Sequence, residues 1–197
     1  MPQISGGFLT VKSLTRIYRP VVKGLSVGIA LLAASLLLLS LSSSDAAEKL
    51  DAGKEAELWE EIANVRFQAA GGHDVQGETR KMGAFQARGL ESPTTPGDEF
   101  DIAGDEKYWA SEDYRTATKH WERAAKAFRA SGEPDKAKSA MENADAAWEA
   151  SKRTLREGVE IHKMAQEYYG STNNLEKKTA VLGKIARNLE RLIDMKR

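Results

Sequence analysis

Three histidines, His73, His120 and His162, are the side chains in this chain best suited to move a proton or ligate a metal near neutral pH. None has a ligand partner at helix spacing. The chain has no His-x3-His or Glu-x2-His pair, and Glu160 and Glu167 flank His162 at neither i±3 nor i±4. This predicts a half-buried packing role for His162 and exposed loop positions for His73 and Asp74, which lie between glycines. The acidic cluster Asp98, Glu99, Asp101, Asp105 and Glu106 invites calcium, but it lacks the alternating Asp/Asn spacing and terminal Glu of a calcium loop. A solvated acidic loop is the expectation there. With no cysteine, the chain excludes disulfides, thiolate metal sites, covalent haem attachment and thiol catalysis.

Other chemistries fare no better. There is no Gly-x-Ser-x-Gly and no phosphate loop, and Gly83 and Gly89 form no dinucleotide fingerprint because no strand precedes them. Trp59, Trp109, Trp121, Trp148, Tyr168 and Tyr169 recur at helical spacing, which reads as core rather than as a ligand cradle. The expectation is a protein that is not an enzyme, with no catalytic residues, no cofactor and no metal.

The elements that position these residues begin with Gly24 to Ser44, which carries no charge. At 1.5 Å of rise per residue it covers about 30 Å, the thickness of a hydrocarbon core. Leu25, Ile29, Leu31, Leu32, Leu36, Leu37, Leu38 and Leu39 would span the membrane. Arg16, Arg19 and Lys23 in the basic segment 1–23 would keep the N-terminus cytoplasmic and place the remainder on the periplasmic or extracytoplasmic side. Small residues at 44–47 also resemble a processing site, so residues 24–44 read either as a retained transmembrane helix or as a signal-peptide core cleaved near Ala46. A buried helix of a soluble core is the third option. It would need apolar cover on all sides, which a chain this small can hardly supply.

Beyond it the chain reads as all-α. Residues 46–70 carry Leu58, Ile62, Val65 and Ala69 at helical spacing, and Gly71-Gly72 is expected to stop that helix. Residues 71–104 are punctuated by seven glycines and by Pro93 and Pro96, without a sustained period, and read as a Gly/Pro-rich acidic loop or linker. Residues 105–197 then form a small antiparallel helical bundle. Tyr114, Thr118, Trp121, Ala125 and Phe128 make one stripe, and Gly132 with Pro134 predicts a tight hairpin. A long third helix runs to Gly170. Asn173 or Asn174 caps a last helix, residues 175–196, whose Leu175, Leu182, Ile185, Leu189 and Leu192 suggest bundle closure or self-association as a coiled coil.

Trp121, Ala124, Ala125 and Phe128, followed by Ala137, Met141 and Ala144, resemble a single degenerate tetratricopeptide repeat spanning about residues 118–151. Ala124 and Ala125 stand where the family has Leu and Gly, Phe128 replaces Tyr, Met141 replaces the second aromatic, and the closing proline is absent. The unit does not recur, so a hairpin embedded in a bundle is expected rather than an array. The resemblance implies protein–protein binding.

Net charge is zero, yet residues 48–110 hold 14 acidic and 7 basic side chains while 151–197 hold 6 and 11. Attraction between the two ends of one bundle, together with ordinary solvated faces, is the expected cause. Nucleic acid is not an expected partner, because the basic residues lack interleaved aromatics and the pI is near neutral. Two functional readings follow: a membrane-tethered or exported adaptor or scaffold domain that binds other proteins, or an accessory subunit of an integral membrane complex with one transmembrane helix and an extramembrane cap.

Overall fold

The computed structural model describes residues 52–87 and 95–195. The segments 1–23 and 24–44, with the expectations attached to them, lie outside the described residues. Among the described residues there are four helices and no strand: α1 (Ala52–Gln86), α2 (Pro96–Ser131), α3 (Pro134–Ser171) and α4 (Leu175–Asp194). No described helix is long and apolar enough to cross a membrane. The described residues belong to one compact unit.

A seven-residue repeat of small side chains builds this unit. The buried positions of α1 are Ala56, Ala63, Ala70, Gly77 and Ala84, each seven after the last. On α2, Ala103, Ala110, Ala117 and Ala124 repeat at the same interval, flanked by a second line of Gly97, Gly104, Ser111, Thr118 and Ala125. Helix α3 answers with Ala137, Ala144, Ser151, Gly158 and Ala165. This is the spacing of helices coiled around one another, and small residues let the backbones approach closely. Helix α2 packs along both α1 and α3, whereas α1 and α3 meet only sparsely. Large side chains on α2, at Phe100, Tyr114, Trp121 and Phe128, fill the remaining space.

The helix ends follow from local chemistry. Thr95 Oγ1 accepts the Asp98 amide at 3.2 Å, and Pro96 sits in the first turn of α2. Gly132 ends that helix at φ 82°, a left-handed conformation that favours glycine, and Pro134 opens α3. Asn174 Oδ1 caps α4 through the Lys177 amide at 3.2 Å.

The expected linker over 71–104 is corrected by the structure. Helix α1 continues through Gly71 and Gly72 to Gln86, and α2 already begins at Pro96. Glycine disfavours a helix by only about 1 kcal/mol relative to alanine. At Gly77 it serves packing, because an added Cβ would lie a tight 3.2 Å from the Ala103 carbonyl oxygen and from the Lys107 stem. The acidic cluster is therefore helical, and its members are engaged in ion pairs rather than spread over a solvated loop.

Candidate functional site

The small-residue layers are interrupted near the middle of the unit by a polar seam. Lys107 occupies the α2 line that otherwise reads Phe100, Tyr114, Trp121 and Phe128, and its side chain is 2% exposed. Gly77 and Gly158 make room for it. A Cβ at Gly158 would sit 3.2 Å from the Gly104 carbonyl oxygen and from Lys107 Cβ. The ammonium donates to Asp74 and Glu78 of α1 and to Glu157 of α3, the last two at 2.7 and 2.8 Å. Burial pushes the Lys107 pKa down, but these three carboxylates more than reverse it and hold the group above the ordinary lysine value. An ammonium so firmly charged is neither a base nor a nucleophile; it ties the three long helices into one register. One turn further along, the buried Ser151 Oγ donates to the Ser111 carbonyl at 2.8 Å, and the two hydroxyls lie 3.0 Å apart.

The second part of the seam centres on His162. It is buried, at 1% exposure, and not the half-buried residue expected. Its ring lies directly against Gly104, where any Cβ would collide with it. Nδ1 faces the buried Asn188 amide of α4 at 3.4 Å. Nε2 points to Asp105 and Asp101 of α2, whose Oδ1 atoms lie 3.4 and 3.5 Å away, and it completes no hydrogen bond. The same two carboxylates clasp Lys184 of α4 at 2.8 and 2.7 Å. Burial raises the Asp105 pKa, and the neighbouring His162 and Lys184 outweigh it and bring the carboxyl below its usual range. Asp101, Asp105 and His162 thus present three ligand atoms within 4.8 Å of one another.

A rail of charge joins α4 to α2 on either side. Asp98 accepts Lys177 and the Tyr169 hydroxyl, each at 2.6 Å, and Arg191 meets Glu112 bidentately at 3.0 Å. The Asp98–Lys177 pair and those of Lys184 join the acidic segment 48–110 to the basic segment 151–197. Burial raises the Asp98 carboxyl, but Lys177, Tyr169 and Thr95 prevail and hold it at about 2.

The other histidines stand apart from this convergence. His73 lies on α1, not in a loop, with Nδ1 2.7 Å from Glu106. His120 stacks on Trp59 at 5.3 Å. Trp121, Ala124, Ala125, Phe128, Ala137 and Ala144 are buried in one cluster, with Met141 packed against it. The α2 and α3 helices that carry them have 36 and 38 residues, each longer than a 34-residue repeat. Trp109, expected in the core, is 55% exposed.

Sequence reasoning missed the Asp101–Asp105–His162 convergence because its members come from different helices. The available signal was the i, i+4 spacing of Asp101 and Asp105, which puts both on one face once 98–105 is read as helix.

Helix α4 leaves a second feature exposed. Leu175, Leu182, Leu189 and Ile193, separated by 7, 7 and 4 residues, are 64%, 46%, 44% and 61% exposed, while Val181, Ile185 and Asn188 face inward. Gly183 and Ala186 lie beside the stripe and are also exposed.

Comparison with protein-family models, with curated proteins and with solved structures yields no match for this chain. The class that the described residues define is an all-α unit of four helices with a polar seam and an apolar outer stripe.

Proposed function

We propose that this chain is a non-enzymatic protein-interaction domain, held at a membrane by residues 24–44 or exported after cleavage near Ala46. In this reading it docks a partner helix on α4. The observation that carries it is the exposed stripe Leu175–Leu182–Leu189–Ile193. Isolated exposed leucines are ordinary, but four on one face at coiled-coil spacing make a continuous apolar ridge. The small neighbours Gly183 and Ala186 let a second helix approach that ridge. The partner is another protein, or a second copy of the chain meeting it through residues 175–196. The tetratricopeptide-like packing of 118–151 belongs to the same proposal, with the hairpin as scaffold and α4 as the binding surface.

The test is site-specific photo-crosslinking in cells, with the probe at Leu182 or Leu189 and a control probe at Lys138 on α3. Discrete adducts at the α4 positions and none at the control support the reading; equal yields at all three would refute it. The alternative is an accessory subunit of an integral complex. It is favoured if residues 46–197 expressed alone aggregate, whereas a monodisperse, cooperatively melting product favours the adaptor.

A further inference from the structure

The strongest unassigned chemistry in the molecule is the His162 group. Its Nε2 is buried, unbonded and aimed between two carboxylates. Separations of 3.4 and 3.5 Å are too long for a normal hydrogen bond. They match the edge of a tetrahedral coordination shell, since two ligands at bonds of about 2.1 Å and a tetrahedral angle lie roughly 3.4 Å apart. We propose that Asp101, Asp105 and His162 bind a divalent first-row transition ion, which enters by displacing the Lys184 ammonium.

The donor set selects the ion. One imidazole nitrogen and two carboxylate oxygens suit zinc, manganese, iron or cobalt, whereas magnesium and calcium prefer oxygen alone. Asn188 supplies the outer support. With its carboxamide turned so that Oδ1 faces His162, it accepts a hydrogen bond from Nδ1–H and leaves the Nε2 lone pair for the metal. Asp101 and Asp105 lie one turn apart on α2, and Gly104 between them admits the imidazole ring. Three protein ligands leave a fourth position for water.

Lys184 already marks a cation position, touching both carboxylates. Its side chain is 22% exposed, so the ammonium has a route into solvent when a metal arrives. The lysine is therefore a competitor, and its removal should tighten binding.

The experiment is calorimetric titration of zinc chloride into the full-length, tag-free protein in mild detergent at pH 7.5. Wild type should take up one equivalent. Lys184→Met should bind at least tenfold more tightly, and Asp105→Asn and His162→Gln at least tenfold more weakly. His73→Gln should behave as wild type. Far-UV circular dichroism checks the fold of each variant, and helicity regained by Lys184→Met on adding zinc also supports the site. Replacing zinc with cobalt should give visible d–d bands from wild type that Asp105→Asn lacks. Three results overturn the proposal: no saturable uptake by wild type, even if Lys184→Met binds; uptake unchanged in both Asp105→Asn and His162→Gln; or uptake abolished by His73→Gln.

Discussion

Replacing Lys107 by methionine tests the idea that the polar seam holds the three long helices in register. The substitution keeps the stem and removes the ammonium, leaving Asp74, Glu78 and Glu157 facing one another with no counter-charge. Breaking a fully buried ion pair costs about 3–5 kcal/mol. The lysine is buried, but the carboxylates are 22%, 45% and 39% exposed, so water recovers part of that loss. We expect a destabilisation of about 2–3 kcal/mol at pH 7, or a fall in Tm of roughly 5–10 °C for a unit of this size. Thermal and urea unfolding of the full-length protein, followed by far-UV circular dichroism, measures it. The pH dependence makes the test specific. Burial raises the Glu78 pKa, but Lys107 and Lys81 outweigh it and bring the carboxyl below its ordinary value. Its stabilisation is therefore complete above the unfolded value of about 4.3 and fades as pH falls through the folded one. The Lys107 pKa is raised, so its share is complete below about 10.4 and is lost only as pH rises through the folded value. The gap between wild type and Lys107→Met should be widest between about pH 5 and 10 and should shrink toward pH 3. A loss under about 1 kcal/mol, or one that is the same at pH 3 and pH 7, would mean that the Lys107 clasp does not hold the helices in register.

Other perturbations separate the remaining interactions. Gly72 and Gly83 lie within α1, where an added Cβ meets nothing within 4 Å; alanine at each should stabilise by about 0.5–1 kcal/mol, read as a rise in Tm. Alanine at Gly104 should destabilise, because its methyl would displace the His162 ring, and the loss should appear as reduced Tm with altered histidine resonances. Burial, together with the nearby Arg123, Arg66 and Lys119, lowers the His120 pKa. The unfolded chain then takes up the proton first, so stability should fall as pH drops below about 6.5, and His120→Gln should flatten that slope in urea titrations. Asp98, held at about 2 in the folded protein, contributes stability that is complete above about pH 4 and lost toward pH 2; Asp98→Asn should remove that acid limb and loosen α4, seen as faster amide exchange between Leu175 and Lys184.

Much of the fold is legible where punctuation and apolar rhythm agree. Gly132 with Pro134, the unbroken run to Gly170 and the Asn174 cap correspond to observed boundaries within a residue or two. The failure over 71–104 has a specific cause. The buried line of α1 is alanine and glycine, residues whose weak hydrophobicity hides a seven-residue period, and Gly71, Gly72 and Gly77 read as breakers although one of them is a packing position. The candidate site was hidden for the same reason. With 98–105 read as loop, Asp101 and Asp105 share no face, and His162 finds no partner on its own helix. Convergence across helices is a property of packing, and no spacing within one segment reports it.

Helix α4 covers only part of the length of its neighbours. Its ion pairs to α2 run from Asp98 to Glu112, while the apolar cluster holding Trp59, Phe128 and Ala137 is built from α1, α2 and α3. The chain enters at Ala52, at this thinner end. Tension applied through residue 52 would therefore strip α1 from its alanine contacts before it reached the Lys107 clasp. That clasp would act as a mechanical stop, leaving the half that carries the leucine ridge folded under load.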